Sequence, residues 1–146
     1  LQVALMALDL NPGDEVITTD FTFASSVEVI ALLGLKPVLV DVEIDTFNID
    51  FNKIKKAITN KTKAIIPVHL FGQTAEMKKI MDIANKNNLF VIEDNAQAIG
   101  SVYKNKYLGT FGKFGTFSFY VSHQLIAGEG GMLVCNDRED YEISHI

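Results

Sequence analysis

The feature that most restricts this chain is a repeated exchange between two periodicities. Pro37-Val-Leu-Val-Asp-Val, Ala64-Ile-Ile-Pro-Val-His-Leu and Leu89-Phe-Val-Ile-Glu-Asp are apolar-rich runs that do not alternate with polar residues. Such runs read as strands buried on both faces, the mark of a parallel sheet rather than a half-solvated antiparallel one. Helical stretches separate them. Met77, Ile80, Met81 and Ala84 repeat at the i, i+3, i+4, i+7 spacing of one buried helix face. Repeated β–α units imply an α/β fold, a mostly parallel sheet with helices on both faces.

The remaining elements follow from local signals. Leu1-Gln-Val-Ala-Leu-Met-Ala-Leu reads as the tail of a helix, and Asn11-Pro-Gly-Asp turns the chain into a short strand, Glu15-Val-Ile-Thr. Residues 25–33 form a mostly apolar helix closed by Gly34. Asp50 is expected to cap a helix burying Ile54, Ala57 and Ile58, and Thr74 to cap the helix that follows it. Pro67 has no N–H to give a ladder, so it points to an edge strand or a bulge. Gly115-Thr-Phe-Ser-Phe-Tyr and Gly131-Met-Leu-Val-Cys are the last strands, joined by a glycine-rich loop. The final Tyr141-Glu-Ile-Ser-His-Ile stops within a helix-like pattern, so the chain reads as part of a longer protein.

Composition narrows the partners. With 146 residues, 48% of them hydrophobic, the chain can bury the core of one domain and is too apolar to be disordered. The net charge is −5 and the only basic cluster is Lys53, Lys55 and Lys56, which argues against nucleic acid and for a small-molecule or protein partner. The single cysteine, Cys135, excludes an internal disulfide and a cysteine-rich metal site, and fits a reducing, cytoplasmic compartment. The most apolar stretch, Val27 to Val42, is broken by Glu28, Lys36 and Pro37, whereas a membrane span needs about 20 apolar residues.

In sheets of this class, ligands bind beyond the carboxyl ends of the strands. That directs attention to residues 19–23, 69–73, 94–97 and 118–131. Asp94 ends a buried strand and reads either as a cap for the next segment or as a carboxylate holding a cationic group. Ser118 reads as a core hydroxyl or a ligand contact. His123, in the loop after that strand, reads as structural or as a proton carrier near neutral pH. Phe21 and Phe23 follow the first strand and could pack inward or stack on a flat ring. Gly128-Glu-Gly-Gly could cradle a phosphate or merely turn the chain. No Walker motif and no G-x-G-x-x-G is present.

Taken in order, Pro12-Gly-Asp-Glu-Val-Ile, Phe21-Thr-Phe, Pro37-Val-Leu-Val-Asp-Val, Thr46-Phe-Asn-Ile-Asp, Thr62-Lys-Ala-Ile-Ile-Pro-Val-His-Leu-Phe-Gly-Gln, Val91-Ile-Glu-Asp-Asn-Ala-Gln-Ala, Gly115-Thr-Phe-Ser-Phe-Tyr and Gly128-Glu-Gly-Gly give a pattern. It resembles the DegT/StrS-type sugar aminotransferases over essentially the whole chain. The resemblance implies the large domain of the type I aminotransferase fold, with pyridoxal or pyridoxamine 5′-phosphate as cofactor. Residues 1–146 would be its central part, with the N-terminal phosphate-binding turn and the smaller C-terminal domain outside it. It also implies a homodimer with its site at the interface. By the same resemblance Asp94 pairs with the pyridine nitrogen, Phe23 stacks on the ring, Gln97 lies beside it and Ser118 contacts the phosphate.

The family's Schiff-base lysine is expected five residues after that serine, where this chain has His123, and no lysine occurs from Phe114 to Ile146. Imidazole cannot form an imine. The resemblance therefore points to the branch of 4-keto-6-deoxyhexose 3-dehydratases, although Gln124 stands where that branch often has a second histidine. There His123 would act as the base while the C3 hydroxyl leaves. The expected enzyme acts on a nucleotide-linked 4-keto-6-deoxyhexose for surface polysaccharide such as lipopolysaccharide O-antigen, with L-glutamate as amino donor. The alternatives are a nucleotide-sugar aminotransferase and a non-catalytic relative lacking the lysine; retained Asp94 and Ser118 speak against the latter. No metal-ligating residue is expected in this chain; Cys135 alone cannot hold the iron–sulfur cluster that some members of that branch use, and cysteines outside these residues leave that question open.

Overall fold

Three neighbouring parallel strands at the centre of the sheet feed two cores, one on each face. The structure, a computed structural model, describes residues 1–144; His145 and Ile146, which close the helix-like C-terminal pattern, lie outside the described residues. In chain order the elements are α1 (Gln2–Met6), β1 (Glu15–Thr19), α2 (Ser25–Leu32), β2 (Lys36–Val40), α3 (Phe51–Ala57), β3 (Thr62–Ile66), α4 (Met77–Asn87), β4 (Phe90–Asp94), β5 (Val102–Tyr103), β6 (Lys106–Tyr107), β7 (Phe114–Ser118), β8 (Gly131–Cys135) and α5 (Arg138–Ile143). Six strands form one sheet in the order β2-β1-β3-β4-β7-β8, parallel throughout except for β8, which runs antiparallel to β7. This is the α/β architecture expected, a mostly parallel sheet with helices on both faces, as in the type I aminotransferase fold.

The period of two explains the layering. Ile17, Ile65 and Val91 point to one face and pack with Ile54 of α3 and Met77, Ile80 and Ala84 of α4. Their neighbours Val16, Ala64, Ile66 and Ile92 point to the other and pack with Ala4 and Leu5 of α1 and Ile30 of α2. Asp50 caps α3 as expected, its Oδ1 accepting the Asn52 N–H at 2.8 Å. Gly34 follows α2 at φ +73°, a conformation that disfavours any side chain. The short β5–β6 hairpin turns on Lys104 and Asn105, both at positive φ.

Three local expectations are corrected. β2 is not a buried strand. It is the sheet edge, with Leu39 half exposed, because a strand with one neighbour has nothing beyond it to cover its apolar run. Pro67 marks neither an edge nor a bulge. It lies just past β3, an interior strand, where its carbonyl accepts the Asp94 N–H at 2.9 Å and no donor is required of it. Thr74 does not cap α4. The helix begins at Met77 behind Glu76, which makes no side-chain cap, and the preceding N–H, that of Ala75, is taken by His69 Nδ1 at 3.1 Å.

Candidate functional site

Because β1, β3, β4 and β7 are parallel, their carboxyl ends open on one rim of the sheet, and a cavity of about 510 Å³ lies there. All five residues singled out from the sequence, Phe23, Asp94, Gln97, Ser118 and His123, line it. They come from segments following three different strands, so strand order brings them together rather than proximity in the chain.

Asp94 is the last residue of β4, in the sheet's interior, and is only 4% exposed. Its Oδ2 accepts the Ser26 hydroxyl at 2.8 Å and its Oδ1 the Ala96 N–H at 3.1 Å. The second contact is the local turn that an Asp makes with the backbone two residues on. The local turn thus occupies one oxygen and the Ser26 hydroxyl the other. Each oxygen also keeps a lone pair for a ligand.

Phe23 presents an aromatic face that is 74% exposed at the cavity, whereas Phe21 packs on Phe47 with ring centroids 5.3 Å apart. Gln97 Oε1 accepts the Phe71 N–H at 3.0 Å, so its NH₂ is the part free to meet a ligand acceptor. The Gln97 carbonyl in turn accepts the Gln124 side-chain amide at 2.5 Å, tying the loop after β7 to the loop after β4. Ser118 ends β7, its hydroxyl oxygen accepting the Tyr120 N–H at 3.3 Å. His123 is half-buried in the turn that follows, held by its N–H to the Tyr120 carbonyl at 3.0 Å, with the Tyr120 ring edge-on at 6.3 Å.

Sequence reasoning missed two sets of residues. Ser26 and Thr22 line the cavity and reach Asp94 in series; two hydroxyls four residues apart at a helix start were the available signal. Glu93, beside Asp94, is fully buried. It accepts the N–H groups of Gly109, Phe111 and Gly112 at 2.9, 2.6 and 2.9 Å and faces His69 Nε2 at 3.3 Å. No sequence signal pointed to those loop donors. Among the described residues, no cluster of His, Cys, Asp or Glu could hold a metal ion, and no helix is long and apolar enough to cross a membrane.

The model of the DegT/DnrJ/EryC1/StrS aminotransferase family matches residues 1–146. The chain belongs to this family. It is 47% identical over 142 residues to the GDP-perosamine synthase of Escherichia coli O157:H7, covering 97% of this chain and 39% of that protein. It is 49% identical over 140 residues to the UDP-N-acetyl-3-dehydro-alpha-D-glucosamine 3-aminotransferase of Acidithiobacillus ferrooxidans, covering 95% of this chain and 38% of that one. Among solved structures, an aminotransferase from Psychrobacter cryohalolentis superposes with a TM-score of 0.96 at 43% identity, over 98% of this chain and 36% of that chain. The chain thus spans well under half the length of these relatives.

These likenesses correct the expected branch. The E. coli GDP-4-keto-6-deoxy-D-mannose-3-dehydratase, solved with bound hydrated PLP, superposes with a TM-score of 0.90 but at 35% identity, over 97% of this chain and 38% of that chain. Most of the named relatives are aminotransferases, and one histidine is too little to assign a branch against them. The family chain also retains a lysine next to β7. Lys113 precedes that strand and is ion-paired with the buried carboxylate of Asp140. It stands at the end of β7 remote from Ser118, roughly 16 Å along the strand, and is not among the residues lining the cavity.

Proposed function

We propose that this chain is the central part of the cofactor-binding large domain of an enzyme that uses pyridoxal or pyridoxamine 5′-phosphate on a nucleotide-linked sugar, and that the reaction is transfer of an amino group to a sugar ketone. The observation that carries this reading is the Asp94 carboxylate. It is buried at the floor of the cavity with a donor on each oxygen, and it is the anion that a protonated pyridine nitrogen needs. The other residues fit the same group. Phe23 offers a face for a ring, the Gln97 NH₂ a donor beside it, and the Ser118 hydroxyl a partner for a phosphate. The cofactor, when bound, supplies an electron sink and carries the amino group. His123 holds and moves the proton, accepting it on a ring nitrogen at the cavity mouth and returning it. L-glutamate is the amino donor of this scheme, and a second copy of the chain completes the site in a cytoplasmic homodimer.

A specific observation favours a second reading, removal of the sugar's C3 hydroxyl. No lysine lines the cavity among the described residues, whereas His123 does, a proton carrier near neutral pH that cannot bind the cofactor as an imine. One experiment separates the two. The full-length protein is incubated with pyridoxal phosphate, L-glutamate and a panel of nucleotide-linked keto sugars, and the sugar products are weighed by mass spectrometry. An amine in place of the ketone supports the first reading. Loss of one oxygen overturns it in favour of the second. An unchanged panel overturns both.

A further inference from the structure

We infer that Ser26 and Thr22 are positioning residues for the Asp94 carboxylate, acting as a hydroxyl relay with a fixed direction; the inference rests on the cofactor role proposed for Asp94. Ionised carboxylate oxygens only accept, so the Ser26 hydroxyl must spend its one proton on Asp94 Oδ2, at 2.8 Å. Its oxygen then only accepts, and the Thr22 hydroxyl donates to it at 3.1 Å. Ser26 is 1% exposed and Asp94 4%, so the inner contact is shielded from water, while the outer one, from Thr22, is part-buried. On the other oxygen the Ala96 N–H is a backbone donor that no side-chain substitution removes.

The placement follows from the fold. Thr22 belongs to the turn leaving β1, and Ser26 to the first turn of α2, one helical turn later. β1 is separated from β4 by β3, so the relay crosses from a neighbouring β–α unit to reach the carboxylate 68 residues away in sequence. Backbone contacts hold the same carboxylate along its own strand: the His69 N–H donates to the Asp94 carbonyl at 3.0 Å. Asp94 is thus fixed in position by its backbone and fixed in side-chain orientation by Ser26. An acceptor aimed at a ring nitrogen needs both, because an electrostatic partner works by being held where charge resides before the ligand arrives.

The test uses the full-length protein and pyridoxamine 5′-phosphate as the probe. Binding is followed by absorbance and fluorescence, and the absorbance of the bound probe is titrated against pH. Ser26→Ala is expected to raise the Kd about tenfold, the scale of one hydrogen bond to a charged acceptor, and to lower the pH midpoint of the bound ring. Ser26→Thr keeps a hydroxyl and should restore both. Thr22→Val, which removes only the outer link, should raise the Kd about threefold, a fraction of the inner loss. A merely structural serine would not move the pH midpoint. Unchanged affinity and midpoint in Ser26→Ala overturn the inference, and if that variant does not fold, the same null result in Thr22→Val overturns it. Failure of the unaltered protein to bind the probe overturns the cofactor reading instead.

Discussion

Replacing Glu93 by Gln removes one charge and changes almost no volume, yet the structure makes it costly. Four donors converge on the two carboxylate oxygens: the Phe111 and Gly112 N–H groups on Oε1, the Gly109 N–H and His69 Nε2 on Oε2. His69 Nδ1 accepts the Ala75 N–H, so that nitrogen is unprotonated and the proton lies on Nε2, directed at Glu93. Glutamine can still accept two of the four donors through its oxygen, but its NH₂ then faces the other two. A shift of the His69 proton to Nδ1 gives no relief, because it sets two donors against each other at Ala75. Two buried donors are thus left without an acceptor, at about 1–3 kcal/mol each. We expect Glu93→Gln to destabilise the protein by about 3 kcal/mol, read from urea unfolding of the full-length protein. Amide exchange should quicken most at residues 109–112, beyond the rise that the lower global stability brings to the core. A loss below about 1 kcal/mol with unchanged exchange in that loop would refute the reasoning.

Three further outcomes are expected. Borohydride treatment of the full-length protein loaded with pyridoxal phosphate should leave no cofactor mass on any peptide of residues 1–146, since no lysine among the described residues lines the cavity; a modified Lys113 peptide would place the attachment there instead. His123→Asn should lower kcat at least about 100-fold, as for loss of a general acid–base group, while pyridoxamine phosphate affinity stays within about threefold, since its main anchors are elsewhere. Glu15 is held below its ordinary value of 4.5, first by the Thr59 hydroxyl at 2.6 Å and then by Lys36 at 3.0 Å. A carboxylate lowered in the folded state stabilises above its unfolded value, and that stability is lost as pH falls through the folded value. Glu15→Gln should therefore flatten the pH dependence of unfolding below pH 4.5, with little change in slope above it.

The layered fold was legible because periodicity is a property of the chain itself. Met77, Ile80 and Ala84 are buried as their spacing requires, and the apolar runs ending at Ile66 and Asp94 are interior strands. What sequence could not supply was neighbourhood. The run Pro37-Val-Leu-Val looks as apolar as the others, but only strand order reveals that it borders the sheet. Likewise Thr74 and Glu76 are both within reach of a helix start, and the donors' other partners decide between them. The Met77 N–H, a donor that a Thr74 cap would take, goes instead to the Ala75 carbonyl at 2.7 Å. The site was legible where a strand end could be found, as at Asp94 and Ser118. It was not where a residue acts through a partner far along the chain, as Ser26 does.

The adjacent acids of β4 show why position along a strand decides between structure and chemistry. Successive side chains leave a strand on opposite faces. Glu93 is therefore turned toward the loop at residues 109–112 and is consumed there by backbone donors and His69. Asp94, one residue on, falls at the strand's carboxyl end on the face that opens to the cavity, with one donor on each oxygen and capacity to spare. A one-residue slip of β4 would exchange the two, burying the shorter acid among donors it cannot span and turning the longer one to the cavity. The register of β4 against β7, Glu93 beside Gly115 and Asp94 beside Thr116, guards against that slip. A Cβ on Gly115 would lie 2.2 Å from the Gly109 carbonyl oxygen, and one on Gly112 2.3 Å from that of Val91. The close approach that delivers the loop to Glu93 therefore requires glycine at both places, and it is the same approach that leaves Asp94 as the carboxylate facing the cavity.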